Sequence, residues 1–304
     1  MEFSHISVLF EETIESLNIK PDGLYVDCTC GGAGHSRAIL ERLTDGHLVA
    51  VDRDPDAVKV ITERIGSDKK TEIVLDTFDN IKTILGERKA DGILADLGVS
   101  SFQLDNAERG FSFHNDAFLD MRMSKTGKSA FDVVNGYSEK ELADILFKYG
   151  EEKFARKIAE NIVKTRTASP IETTLQLAEI VKKSYPAKFR RDGHPARKTF
   201  QAIRIEVNDE LTMLSGAVQD MFDSLKIGGR LSVITFHSLE DRIVKEKFKE
   251  FTQGCTCPKD FPVCVCGKTP KGKIINKGIT AGEKELNDNN RSRSARLRTI
   301  EKIG

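Results

Sequence analysis

The chain of 304 residues has no net charge, because 47 Lys and Arg balance 47 Asp and Glu. It has no apolar run near the roughly 18 residues that make a membrane span, so no membrane partner is expected. Met1 to Phe10 lacks the basic cluster and apolar stretch of an export signal, so a cytoplasmic protein is expected. Cysteine is scarce, at six, and in that compartment cysteines stay reduced or bind metal rather than build a disulfide framework. Tryptophan is absent, which excludes nothing. A composition of 39% hydrophobic and 31% charged residues excludes global disorder. At about 150 residues per domain, the length allows one large domain or two ordinary ones.

A zero sum hides a pattern. Residues 1–100 carry 11 basic and 19 acidic side chains, a net −8. Residues 182–204 carry eight basic and one acidic, a net +7, and residues 268–304 reach +6. Two short basic blocks in a neutral chain are what a polyanion binder can show without a basic isoelectric point.

The first hundred residues alternate short apolar runs with helical patterns. Strands are expected at Leu24–Asp27, Leu48–Asp52, Ile73–Leu75 and Gly92–Leu97. Helices are expected at His35–Leu43 and at Pro55–Ile65, the latter with Asp54 as N-cap and Pro55 at its first position. This rhythm predicts a parallel sheet covered on both faces. From Phe102 to Arg204 no strand run is visible. Capping-box patterns instead start helices at Ser138 with Glu141 and at Thr173 with Gln176. A long apolar period from Phe200 to Leu225 predicts one helix closing at Gly228-Gly229. Leu231–Phe236 then reads as a strand, Ser238 with Asp241 as a helix start, 267–290 as a long loop, and Ser294–Ile300 as a last strand.

Chemistry-bearing residues collect at the ends of the early strands. Asp27-Cys28-Thr29-Cys30-Gly31-Gly32-Ala33-Gly34-His35 follows a strand and opens a helix, where a glycine turn lets the backbone approach a nucleotide-like ligand. Asp52 ends the next strand and can accept the ribose hydroxyls of an adenosine. The dinucleotide fingerprint requires glycine at 37, and Arg37 stands there, which weakens a dehydrogenase reading. Asp27 would repel a pyrophosphate; it suits a cationic ligand or simply caps the turn. Asp96 ends a further strand on the same sheet edge. S-adenosylmethionine, an adenosine with a sulfonium and an ammonium but no phosphate, fits this pattern. His237, at the end of LSVITF, is a second catalytic candidate or a structural residue before a helix.

The run DLGVSSFQLDNAERGFSFHNDAFLDMRM (96–123) resembles the signature of the bacterial 16S ribosomal RNA cytosine-N4 methyltransferases, the RsmH or MraW family. HISVLFEE (5–12), HPARKTFQAIRIEVNDEL (194–211), FHSLEDRIVK (236–245) and CTCP with RSRSARLR (255–298) resemble it too, in order along nearly the whole chain. The resemblance implies an α/β class I S-adenosylmethionine-dependent methyltransferase (Rossmann-like) fold with an inserted all-helical domain. The methyltransferase domain would be 1–101 with 206–304, and the insertion, 102–205, would recognise substrate. The implied activity is methylation of the N4 amine of one cytidine in the decoding centre of 16S ribosomal RNA, within the small ribosomal subunit. A homodimer is admitted but not required. The family's cofactor positions fall on Ala33, Gly34, His35, Asp52, Phe78, Asp96 and Gln103. Many members carry glycine where Ala33 stands, so its methyl group narrows the turn. Asp96 is the expected catalytic acceptor, with His237 beside it.

RNA contact is expected from Lys188, Arg190, Arg191, Arg197, Lys198 and Arg204, in a block interleaved with Tyr185, Phe189, His194 and Phe200. Arg291, Arg293, Arg296 and Arg298 form a second candidate arm. Cys255-x-Cys257 and Cys264-x-Cys266 resemble a four-thiolate zinc site, but structural zinc more often uses C-x-x-C, and no metal is assigned. A methyltransferase for protein or small molecules, and a non-catalytic RNA binder, are the competing readings; the basic block counts against the first and the intact Asp52 and Asp96 against the second.

Overall fold

The computed structural model describes residues 7–189, 194–255, 257 and 266–304. The chain divides into two compact units, 1–98 with 211–304, and 99–210.

The first unit opens with α1 (Phe10–Leu17), β1 (Leu24–Asp27), α2 (Gly34–Leu40), β2 (His47–Asp52), α3 (Pro55–Ile65), β3 (Thr71–Leu75), α4 (Ile81–Leu85) and β4 (Ala90–Asp96). The helical unit follows with α5 (Ser101–Asp105), α6 (Ala130–Gly136), α7 (Glu139–Gly150), α8 (Ala155–Arg166), α9 (Thr174–Ser184) and α10 (Ala196–Asn208). The chain then continues through α11 (Glu210–Asp223), β5 (Leu225–Thr235), α12 (Ser238–Thr252), β6 (Gly272–Ile279), α13 (Glu283–Asp288) and β7 (Arg296–Lys302).

Seven strands form one sheet in the order β3-β2-β1-β4-β5-β7-β6. β1 to β5 run parallel, and β7 is antiparallel to both of its neighbours. This is the class I methyltransferase sheet that the resemblance implies. Buried apolar strands explain it: β4 is buried along its length except at Asp96. Val26, Val49, Val51, Ile93, Leu231 and Val233 pack in one core with Val218, Met221, Phe222 and Phe248 of the covering helices. Tyr25, Leu48, Ala50 and Leu94 join a second core with Ile39 and Ile61. The helical unit has its own core, built on residues such as Leu119, Val133, Leu146, Ile158, Leu177 and Ile203. Its only strand-like pairing among the described residues is an isolated bridge from Phe118 to Thr173.

The helix starts at Asp54, Ser138 and Thr173 form as expected, each with its side chain accepting a backbone N–H. Four expectations fail. The long helix from Phe200 is two helices, α10 and α11. Asp209 between them is left-handed at φ 52°, a conformation that Asn and Asp reach more readily than other side-chain-bearing residues. The buried Asn208 amide fixes that end, donating to the Met121 and Arg204 carbonyls and accepting from Met123 N–H. Gly228-Gly229 does not close a helix either; it lies inside β5, where Gly228 takes φ 80° and the pairing with β4 shifts register. Residues 267–290 are no loop, because they contain β6 and α13. Among the described residues β6 is an edge strand paired with β7, and its half-exposed sequence, mixing isoleucine with glycine, lysine and asparagine, hides it from a hydrophobicity pattern. The cap of α12 is His237 with Glu240, one residue before the expected Ser238.

Candidate active site

In parallel strands the carboxyl ends share one edge, and open α/β sheets receive ligands there. β1 ends at Asp27, β2 at Asp52 and β4 at Asp96, while β5 leads into His237. Register sets Asp27 opposite Leu94, two residues before Asp96, and Asp96 opposite Ile234.

Asp27 is buried and accepts from Ser36 Oγ at 2.6 Å and from Thr29 N–H at 3.2 Å. It thus caps the turn into α2. Burial pushes its carboxyl up to about 6 against the help of those bonds. Asp52 accepts from Gly31 N–H at 2.8 Å and from Asp54 N–H at 2.9 Å, which ties the glycine turn to the end of β2. Burial raises it too to about 6, with the charges of Asp54 and Asp27 adding to the shift.

Asp96 is the most perturbed of the three. Burial holds its carboxyl well above the usual range, and the nearby charges of Asp27 and Glu240 push the same way. Its backbone N–H is fixed by Thr29 Oγ1 at 2.6 Å. Its Oδ2 lies 3.8 Å from Nδ1 of the buried His35, while its Oδ1 is buried with no hydrogen-bond partner. His35 in turn stacks on Phe10, with ring centroids 5.8 Å apart.

The turn itself is tight. Ala33 is buried and left-handed at φ 64°, a conformation that glycine adopts more readily than alanine. A side chain on Gly34 would put its Cβ 2.0 Å from Ser7 Oγ, so the serine hydroxyl would have to turn away. Phe78 begins a short 3-10 turn after β3 and packs, half-buried, against the main core. Gln103, in the helical unit, is buried; its Oε1 accepts from Ser100 N–H at 3.0 Å in a capping box.

His237 has a structural occupation. Its Nδ1 accepts from Glu240 N–H at 3.5 Å and its Nε2 lies 3.1 Å from Glu240 Oε1. Glu240 is buried and also accepts from Phe236 N–H at 2.8 Å. Sequence reading missed Glu240 because a helix cap made by histidine does not match the Ser/Thr pattern used to find caps. It missed Thr29 for lack of any local signal; only the register of β1 against β4 brings Thr29 to Asp96.

The chain is matched over residues 2–303 by the MraW methylase family. The chain belongs to that family. Its relatives include the ribosomal RNA small subunit methyltransferase H of Clostridium botulinum (strain Kyoto / Type A2), 58% identical with both chains covered completely. The protein of that name from Lachnospira eligens is 54% identical, over all of this chain and 99% of the other. As a member of the MraW family the protein is a methyltransferase, and the acid-lined strand edge is where that chemistry is to be sought.

The expected RNA-contacting residues separate in the helical unit. Lys188, Arg197 and Lys198 are exposed. Lys188 sits over the ring of Phe189, itself exposed, and Lys198 Nζ donates to the Glu151 carbonyl at 3.0 Å. Arg190 and Arg191 lie outside the described residues. Arg204 differs: its guanidinium grips Glu210 through two bonds of 2.9 Å, so its charge is committed inside the unit. Phe200 is buried core and not available to stack on a base, whereas His194 is exposed and stacks on Phe113, centroids 4.5 Å apart. In the C-terminal arm, Arg293 and Arg296 are exposed and Arg291 is half-buried; Arg298 is buried against Asp241, at 2.7 and 3.0 Å. It therefore leaves the arm for the same reason as Arg204. Among the described residues, no helix is long and apolar enough to cross a membrane.

Proposed function

We propose that this protein transfers a methyl group from S-adenosylmethionine to the N4 amine of one cytidine in the decoding centre of 16S ribosomal RNA. It acts in the cytoplasm, on RNA of the small ribosomal subunit. The observation that carries the reading is the buried, unpartnered Oδ1 of Asp96 at the end of β4.

The residues fit the cofactor. Three carboxylates on one strand edge, all with raised pKa values, repel each other and would repel a phosphate. A ligand with two positive centres relieves that repulsion. Asp52 keeps lone pairs beyond those used by Gly31 and Asp54, and these suit the two ribose hydroxyls of an adenosine. When bound, S-adenosylmethionine supplies a methyl group made electrophilic by a cationic sulfur.

The remaining work falls to side chains. A cytosine amine is a weak nucleophile, since its lone pair is delocalised into the ring. Asp96 Oδ1 accepts one amine hydrogen and then takes the proton that the nitrogen must lose. A carboxylate held above its ordinary pKa is the stronger base for this. His35 lines Asp96, and His237 with Glu240 fixes the end of β5, which makes His237 a positioning residue rather than a proton carrier. The target base must leave its stack to reach a strand edge. Lys188, Arg197 and Lys198 supply phosphate contacts.

The test is mass spectrometry of 16S ribosomal RNA from cells lacking the protein. One N4-methylcytidine should vanish and return with the wild-type chain but not with D96A. Persistence of every methylated cytidine would overturn the reading.

A further inference from the structure

Three thiols outside the strand edge have no part in methyl transfer. Cys255 follows α12 and Cys266 precedes β6, and the ligand atoms of Cys255, Cys257 and Cys266 all lie within 4.8 Å of one another. Cys264, the fourth cysteine of the sequence pattern, lies outside the described residues. Sγ of Cys266 is 3.7 Å from Sγ of Cys255. A disulfide would need about 2.0 Å. Two thiolates on one tetrahedral zinc, each at about 2.3 Å, stand about 3.8 Å apart. The Cys257 N–H points at Cys255 Sγ, 3.4 Å away. The segment between α12 and β6 is closed at its base, because Lys271 N–H donates to the Phe251 carbonyl at 2.9 Å and Ile303 N–H to the Lys271 carbonyl at 2.8 Å.

We propose that Cys255, Cys257 and Cys266 bind a structural zinc ion that clips the end of α12 to the start of the edge strand β6. On binding, each thiol gives its proton to solvent and becomes a thiolate ligand; nothing is oxidised or reduced. Thiolates select zinc over hard cations such as magnesium and calcium. The clip lies far along the chain from the acid-lined turn, and its role is to order an edge strand whose pairing with β7 is broken by two register shifts.

The test uses the reduced full chain, stripped with chelator and titrated with cobalt(II) alone. One equivalent should produce thiolate-to-cobalt charge-transfer absorption and the strong visible bands of a tetrahedral site, and one equivalent of zinc should bleach both. The double variant C255S/C266S should lose the bands while its helical circular dichroism stays that of the wild type. If that variant fails to fold, the wild-type titration decides alone. No charge-transfer band in excess cobalt would overturn the proposal, as would iron with acid-labile sulfide in the protein as isolated.

Discussion

Charge is used in opposite ways in two regions of this protein. At the strand edge of the α/β unit, Asp27, Asp52 and Asp96 are buried enough, and near enough to like charges, that all three hold protons more tightly than usual. In the helical unit, Lys188, Arg197 and Lys198 stand in solvent. Arg204, from the same basic block, is instead neutralised by Glu210. Desolvation turns charge into chemistry, whereas exposure leaves it as a screened attraction. The net zero of the chain averages these two uses.

The comparison breaks most visibly at Asp96. Replacing it with Ala or Asn removes the proton acceptor, and methyl transfer should fall about 10²–10⁴-fold. Cofactor affinity, measured by calorimetry, should change only a few-fold. A D96N enzyme with full turnover would remove Asp96 from the reaction.

Acid should expose the same burial. Free Asp27 and Asp52 take up protons near pH 6, about two units above an ordinary aspartate. Well above pH 6 both are ionised, and neither adds proton linkage to the binding of a cationic ligand. Below pH 6 each must first release a proton, so affinity for S-adenosylmethionine should fall about tenfold per pH unit for each carboxylate involved. The sign for folding is opposite to that of a salt-bridged aspartate. The native state holds the extra protons between about pH 4 and 6, so the unliganded protein loses stability as pH rises through that window. Binding measured in two buffers of different ionisation enthalpy should show proton release at pH 5.5 or so that is smaller at pH 8, where Asp27 and Asp52 no longer contribute. A flat affinity from pH 5 to 8 would mean that neither carboxylate meets the ligand.

These two regions also differ in how far they were legible from sequence. The parallel sheet was readable because β1, β2 and β4 are short apolar runs ending on acids, a local pattern. The proximity of Asp96 to Asp27, Thr29 and Glu240 was not, since it depends on strand order and on a cap made by His237. In the basic region, composition located the block but could not say which cations remain in solvent. Arg204 and Arg298 read like their neighbours until the positions of Glu210 and Asp241 are known. The α10–α11 break escaped because the apolar period keeps its phase on both sides, and only the Asn208-Asp209 pair marks it. β6 escaped because an edge strand needs little hydrophobicity.

On the exposed side the effect should be smaller and salt-dependent. Changing Lys188, Arg197 and Lys198 together to Ala should weaken binding to small-subunit RNA about tenfold or more at moderate ionic strength. The slope of log affinity against log salt should drop by about 2 to 3, near 0.7–0.9 per lost phosphate contact. Arg204→Ala should instead lower thermal stability, because it leaves Glu210 without its partner. An unchanged salt slope in the triple variant would take these cations out of the RNA contact.

The smallest effect is expected at the turn that joins the two strand-end acids. Ala33 sits left-handed at φ 64°, which costs a residue with a Cβ about 1–2 kcal/mol. Glycine would remove that strain. It would also free the unfolded chain, a loss of about 0.5–1 kcal/mol, and expose the space of a buried methyl group worth about 0.8 kcal/mol. The terms nearly cancel, so Ala33→Gly should shift stability by less than about 1 kcal/mol in chemical denaturation. A loss above about 2 kcal/mol would mean that the buried methyl group contributes more than its area and that Ala33 is a packing residue of the turn. A near-zero change would show why this turn tolerates alanine, with its strain offset by burial at the same residue.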